Sequence, residues 1–188
     1  MKVELKMNDK SVQAEISEGQ LKELGLVEQL KKLGLLEDKP RTGYEGREEC
    51  NNKKYYFVNT IDLVIEDENT VPFDQNRYDV GNFYSNKMIA ENNARADRLQ
   101  RCLRQWQALN DKPISQSDWE DNGKSKWCIM YSYGAEKLYV EYFHYIRLHN
   151  VIYFTTKEKA EEAIEVFKDE LLWYFTEYVQ RLDEVQNG

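Results

Sequence analysis

Phe83-Tyr84-Ser85-Asn86-Lys87 and, 70 positions later, Tyr153-Phe154-Thr155-Thr156-Lys157 share one pattern: two aromatics, a hydroxyl residue, a polar residue and a lysine. Ala90 and Ala160 keep the same spacing. An aromatic pair reads as the end of a buried strand. A Ser or Thr after it reads as a helix cap, because its hydroxyl accepts from a helix-end N–H that has no intrahelical partner. The repeated pattern predicts two units built alike, each closing on a strand–cap–helix step. Ser85 and Thr155 are the expected caps, and Thr155-x-x-Glu158 has the spacing of a capping box.

Working outward, a candidate hairpin precedes each step. In the first unit Tyr55-Tyr56-Phe57-Val58 and Leu63-Val64-Ile65 flank a tight turn, and an acidic, Asn-rich excursion follows. In the second, the strands are Trp127 to Tyr131, Leu138 to Ile146 and Val151 to Phe154. The first long helix runs to about Leu109, with Leu99, Cys102, Leu103, Trp106 and Leu109 in one apolar stripe. The last helix carries Ala160, Ile164, Phe167, Leu171, Tyr174, Tyr178 and Val185 in a near-heptad pattern. Trp173 and Phe175 lie off that stripe. Such surplus rings imply a helix buried on two sides or a partner surface, and with Tyr178 they predict a homo-oligomer formed partly through residues 171–185.

At the N-terminus, Val3, Leu5 and Met7 alternate with charged residues, as Val12, Ala14 and Ile16 alternate with polar ones, around a turn at Asn8-Asp9-Lys10. Ser17-x-x-Gln20 matches a capping box, and two short helices stop at Gly25 and Gly34. Pro40, Gly43, Gly46 and Asn51-Asn52 mark a linker. The expected fold is α+β, with antiparallel sheet packed on long helices. A hairpin and short helices occupy 1–36 and a linker 37–53. One ββ(β)α unit then spans 54–110, and a second, with a long C-terminal helix, spans 111–188.

The 188 residues are long enough to bury a core without disulfides or a structural metal. At 13% aromatic and 32% charged, the chain is neither disordered nor a membrane protein in composition. MKVELKMNDK does not read as a signal peptide. Cys50, Cys102 and Cys128 are odd in number and dispersed, which fits a reducing, cytoplasmic setting. Of the net charge of −8, residues 111–188 contribute −6, from 9 basic and 15 acidic side chains. That balance opposes non-specific binding to nucleic acid.

No catalytic constellation emerges. His144 and His149 have no nucleophile or acid at motif spacing, and by alternation His144 shares a strand face with Leu138, Val140, Tyr142 and Ile146. The carboxylate pairs Asp118 and Glu120, and Glu66 and Glu68, read as solvated charge. Two histidines and three scattered cysteines are poor material for a metal site, so neither metal nor cofactor is expected. The chain is read as a binding protein and not an enzyme.

Two binding sets stand out. Arg95, Arg98, Arg101 and Arg104 recur every three residues, forming a slanting band that could grip phosphates or a partner's carboxylates. Pairing with acids of the other unit would serve equally well as their role. Tyr139, Phe143 and Tyr145 point away from the Leu138 face of their strand and, with Trp173, could receive a partner or stack bases. Pairing across strands is the structural alternative.

Arg41-Thr42-Gly43-Tyr44-Glu45, Lys53-Lys54-Tyr55-Tyr56-Phe57-Val58 and Asn76-Arg77-Tyr78-x-x-Gly81-Asn82-x-Tyr84 together resemble a group of uncharacterised phage and prophage proteins of Gram-positive bacteria. The likeness covers roughly residues 41–175. Its usual acidic residue before the arginine is displaced here, because Asn76 follows Asp74-Gln75. The resemblance implies viral origin and carries no activity with it. The resulting expectation is a non-enzymatic phage accessory protein, in the cytoplasm of the infected host, that binds and inhibits or redirects a host factor in counter-defence. The alternatives are a sponge for a nucleotide signal and, more weakly, a structural protein of the virion.

Overall fold

The computed structural model describes residues 2–7, 10–15, 17–23, 25–32, 41–45, 54–68 and 72–186. Two compact units divide at residue 40. In the first, β1 (Lys2–Met7) pairs antiparallel with β2 (Lys10–Glu15), with Val3 opposite Ala14 and Leu5 opposite Val12. Helices α1 (Glu18–Glu23) and α2 (Val27–Lys32) follow. The Ser17–Gln20 capping box forms as expected. Ser17 N–H donates to Gln20 Oε1 at 2.9 Å, and Gln20 N–H donates to Ser17 Oγ at 3.3 Å. The turn residues Asn8 and Asp9, the stop at Gly34, Cys50, and the linker apart from 41–45 lie outside the described residues.

The larger unit holds two similar assemblies. β3 (Lys54–Val58) and β4 (Val64–Glu68) form a hairpin, with Val58 opposite Val64. Tyr84 closes the other edge of β3 through an antiparallel bridge to Tyr56. α4 (Lys87–Asn110) then packs on the hairpin. In the second assembly β5 (Lys126–Ser132) is central, between β6 (Lys137–Phe143) and β7 (Tyr153–Phe154). α6 (Lys157–Thr176) packs on all three strands and against α4. The strand order is therefore the same in both: hairpin partner, central strand, short closing strand, then helix.

The caps sit one residue later than the sequence suggests, in both assemblies. Asn86 caps α4 through Ile89 N–H, and Thr156 caps α6 through Lys159 N–H. Ser85 and Thr155 instead turn to upstream carboxylates: Ser85 Oγ donates to Glu45, and Thr155 Oγ1 donates to Asp111. Thr155 N–H adds a 2.7 Å bond to Asp111 Oδ2. Thr155 and Glu158 therefore form no capping box. The last helix also differs from expectation. α6 stops at Thr176, capped by Glu177, and a separate short helix α7 (Leu182–Gln186) takes over. Three further departures are α3 (Pro72–Asp79), α5 (Gln116–Glu120) and the end of β6 at Phe143, before His144.

Residues 41–45 belong to this larger unit. Gly43 has φ +90°, and its carbonyl accepts from Ser85 N–H at 2.9 Å. A Cβ there would lie 2.7 Å from Ile89 Cγ1, well inside contact distance. Gly81 has φ +74° with nothing within 4 Å, so it carries the backbone requirement alone. Gly43→Ala should therefore lose about 3 kcal/mol of stability, from strain plus overpacking, and Gly81→Ala about 1 kcal/mol. Denaturant titration of the two variants checks the difference.

Candidate partner-binding groove

The arginine band does not stay together as one surface. Arg95 grips Glu170 of α6 with two bonds, Nε to Oε2 at 2.8 Å and an Nη2 contact at 3.1 Å. Its guanidinium also lies 3.9 Å from the Trp173 ring centre. Arg101 pairs with Asp62 of the β3–β4 turn at 2.6 Å. Arg98 and Arg104 are exposed and form no ion pair among the described residues. Two of the four arginines thus serve to join elements of the fold.

The aromatic set is divided as well. Trp173 is only 8% exposed, held between Arg95 and Tyr178. Phe143 is half-buried edge-on to Tyr153, and Tyr139 is half-buried opposite Met130. Tyr145 alone stands free, 70% exposed. The rings behind the homo-oligomer expectation find partners inside the chain. Phe175 stacks on Tyr131, and Tyr178 donates to Asn93 Oδ1 at 2.9 Å. A helix buried on two sides accounts for them.

The polar clusters outside these sets are structural. Asp118 closes a capping box on Ser115 and pairs with Lys124, and these bonds hold its carboxyl far below the usual carboxylate range. Glu66 takes bonds from Lys54 and the Tyr56 hydroxyl. His144 Nδ1 faces Lys124 O at 3.3 Å. Lys126, fully buried, directs its ammonium at the carbonyls of Asp121, Lys124 and His144, with the Trp119 ring 5.3 Å away. Buried Asp74 accepts from the Tyr55 hydroxyl at 2.6 Å, and Arg77 joins both to Asp67. Among the described residues no group of three His, Cys, Asp or Glu side chains could hold a metal ion, and no helix is long and apolar enough to cross a membrane.

What remains open is the edge of the second sheet. Among the described residues β6 is an outer strand, paired with β5 on one side only. Beside it, the first half of α6 forms the other wall of a groove of about 730 Å³. Leu138, Val140 and Ile164 supply an apolar floor, since all three pack against the buried core. Glu158, Glu161, Glu162 and Glu165 line the helical wall. Lys137 and Lys157 line the groove too; Lys157 pairs with Glu161 and Lys159 with Glu162, and among the described residues Glu158 and Glu165 form no ion pair. α6 as a whole carries six carboxylates against three lysines. Composition alone shows this acidity, but the edge position of β6 needs the sheet order, which no local pattern reveals.

Two predictions follow from these placements. Arg95→Gln should cost about 1 kcal/mol, a modest figure because solvent reaches both Arg95 and Glu170. Arg98→Gln and Arg104→Gln should each fall within about 0.5 kcal/mol of the parent; thermal melts of the three variants separate the roles. Burial pushes the phenols of Tyr55 and Tyr84 up to about 12, and Tyr44 and Tyr178 up as well. Above pH 10 the unfolded chain releases these protons first, so stability is full below pH 10 and falls as pH rises toward 12. Tyr84→Phe should flatten that fall, measured as melting temperature against pH.

Compared with family models, curated proteins and solved structures, the chain matches none.

Proposed function

We propose that this chain is a non-enzymatic binding protein that takes up an extended, basic segment of a protein partner as an added strand on β6. The observation that carries this is the acidic groove between an unpaired edge strand and α6. An edge strand offers every second backbone N–H and C=O to an incoming chain, which supplies affinity without regard to sequence. Side chains alternate on the added strand, so one set would face α6, its apolar members meeting Leu138, Val140 and Ile164 and its lysines or arginines meeting Glu158 and Glu165. Carried together with the phage resemblance, the partner is a host factor, and occupying its segment inhibits or redirects it in counter-defence.

The nucleotide-sponge reading has less to rest on. Arg95 and Arg101 are committed to Glu170 and Asp62, which leaves Arg98 and Arg104 as the members of the band with no ion pair among the described residues. Two exposed arginines on a strongly acidic chain are a weak phosphate grip.

A displayed library of random 12-residue peptides, selected against the purified protein, tests the proposal. Enriched peptides should carry Lys or Arg together with apolar residues at every second position and bind less well as salt rises. Their binding should slow amide exchange over residues 137–141. Joint Glu158→Gln and Glu165→Lys replacement should lower affinity about tenfold. Enrichment of acidic peptides, or protection confined to other strands, would sink the idea.

A further inference from the structure

A second opening lies deeper in the same unit, away from the groove. It is a cavity of about 220 Å³ between β5, the loop before β7, and the facing sides of α4 and α6. Nine of its twelve lining side chains are apolar or aromatic. Leu103 and Leu171 are buried to within a few percent, and the rings of Phe154, Tyr174 and Phe175 form much of the wall. The three polar side chains are Gln100, His149 and Asn150, and none makes a hydrogen bond among the described residues. His149 and Asn150 are exposed, so the cavity reaches solvent beside them.

Close-packed interiors seldom keep voids larger than a water molecule. Water is a poor filler here, because each molecule needs two to four polar partners and the polar groups are few. An apolar cavity of about 150 Å³ is already large enough to stay dry and bind benzene. Aromatic walls favour a flat ring, which can lie edge-on or offset against Phe154, Tyr174 and Phe175. Unpartnered donors and acceptors then fix the orientation of a ligand that carries a single polar group.

We infer that this cavity is a binding site for a small, uncharged aromatic molecule of one or two rings bearing one N–H or O–H group. The ring occupies the space among Leu103, Phe154 and Leu171, and the polar group meets Gln100 or His149. A charged ligand is disfavoured, since no Lys, Arg, Asp or Glu side chain lines the cavity to pair with it.

Indole and toluene are suitable probes for thermal melts and for NMR of the methyl groups. Indole should raise the melting temperature saturably with the logarithm of its concentration. Its protons should show NOEs to the methyls of Leu103, Ile152 and Leu171. Gln100→Leu should weaken indole at least threefold and leave toluene unchanged. Val151→Phe, which fills the cavity from its loop side, should abolish both shifts. The inference is overturned if indole gives no shift up to its solubility limit, if its NOEs go to other methyls, or if benzoate binds as well as toluene. The NOE criterion uses the unaltered protein, so it decides the matter even where a variant folds poorly. Loss of this site would leave the groove beside β6 untouched.

Discussion

α4 is the element on which the first hairpin and α6 both pack. A two-stranded hairpin such as β3–β4 buries too little to stand alone in water. The first half of α4 gives Ile89 and Ala90 to Tyr84, Val58 and Val64. The second half gives Leu99 and Leu103 to a different core, with Phe154, Ala160 and Leu171. Between the halves, Arg95 crosses to Glu170 and Trp173 of α6. Beyond α6 the chain returns to the first hairpin. Val179 and Leu182 pack there, Asn92 donates to Val179 O at 3.1 Å, and Leu182 N–H donates to Thr42 O at 2.9 Å. The two assemblies are therefore bound into one cooperative structure through a single helix and the last turns of the chain.

This arrangement gives the motifs at residues 41–45, 54–58 and 76–84 a physical content. Gly43 must be glycine because of its φ and the nearness of Ile89. Asn82 completes β3, its side chain accepting from Val58 N–H at 2.7 Å and donating to Val58 O at 2.8 Å. Arg77 lies over Phe57 and links Tyr55, Asp67 and Asp74, while Tyr84 supplies the closing bridge to Tyr56. Asp74 reaches Arg77 from one helical turn back on α3. Each of these residues builds the first hairpin. None lines the groove beside β6, so these motifs build the scaffold and leave the partner unspecified.

Hairpins and long helices were legible because alternation and the helical period write burial directly into sequence. α3 was not. It has no apolar stripe, and its hold on the fold is a buried Asp74 and an arginine lying on Phe57. α5 did carry a signal in Ser115-x-x-Asp118, a capping box that its five residues make easy to pass over. The caps of α4 and α6 were displaced by Glu45 and Asp111, which lie 40 and 44 residues upstream of the hydroxyls they take. No local rule anticipates a competitor that distant. The arginine band failed as a unit for a similar reason: spacing shows that Arg95 and Arg101 share a helix, but only the packing shows that Glu170 and Asp62 face them.

An unpaired β-strand is a hazard as well as an opportunity, and the groove manages both through charge. A second copy of this chain could pair edge to edge with β6, as exposed strands tend to do. It would bring the same excess of carboxylates along α6 to the same place, and like charges brought together cost several kcal/mol. Glu141, which turns its carboxylate back onto Tyr142 N–H at 3.0 Å, blunts the far end of the strand. The residues that line the groove, 137–140, have no such cover. On the proposed reading, the same glutamates would repel a copy and attract a lysine- or arginine-rich segment, so both preferences would come from one feature.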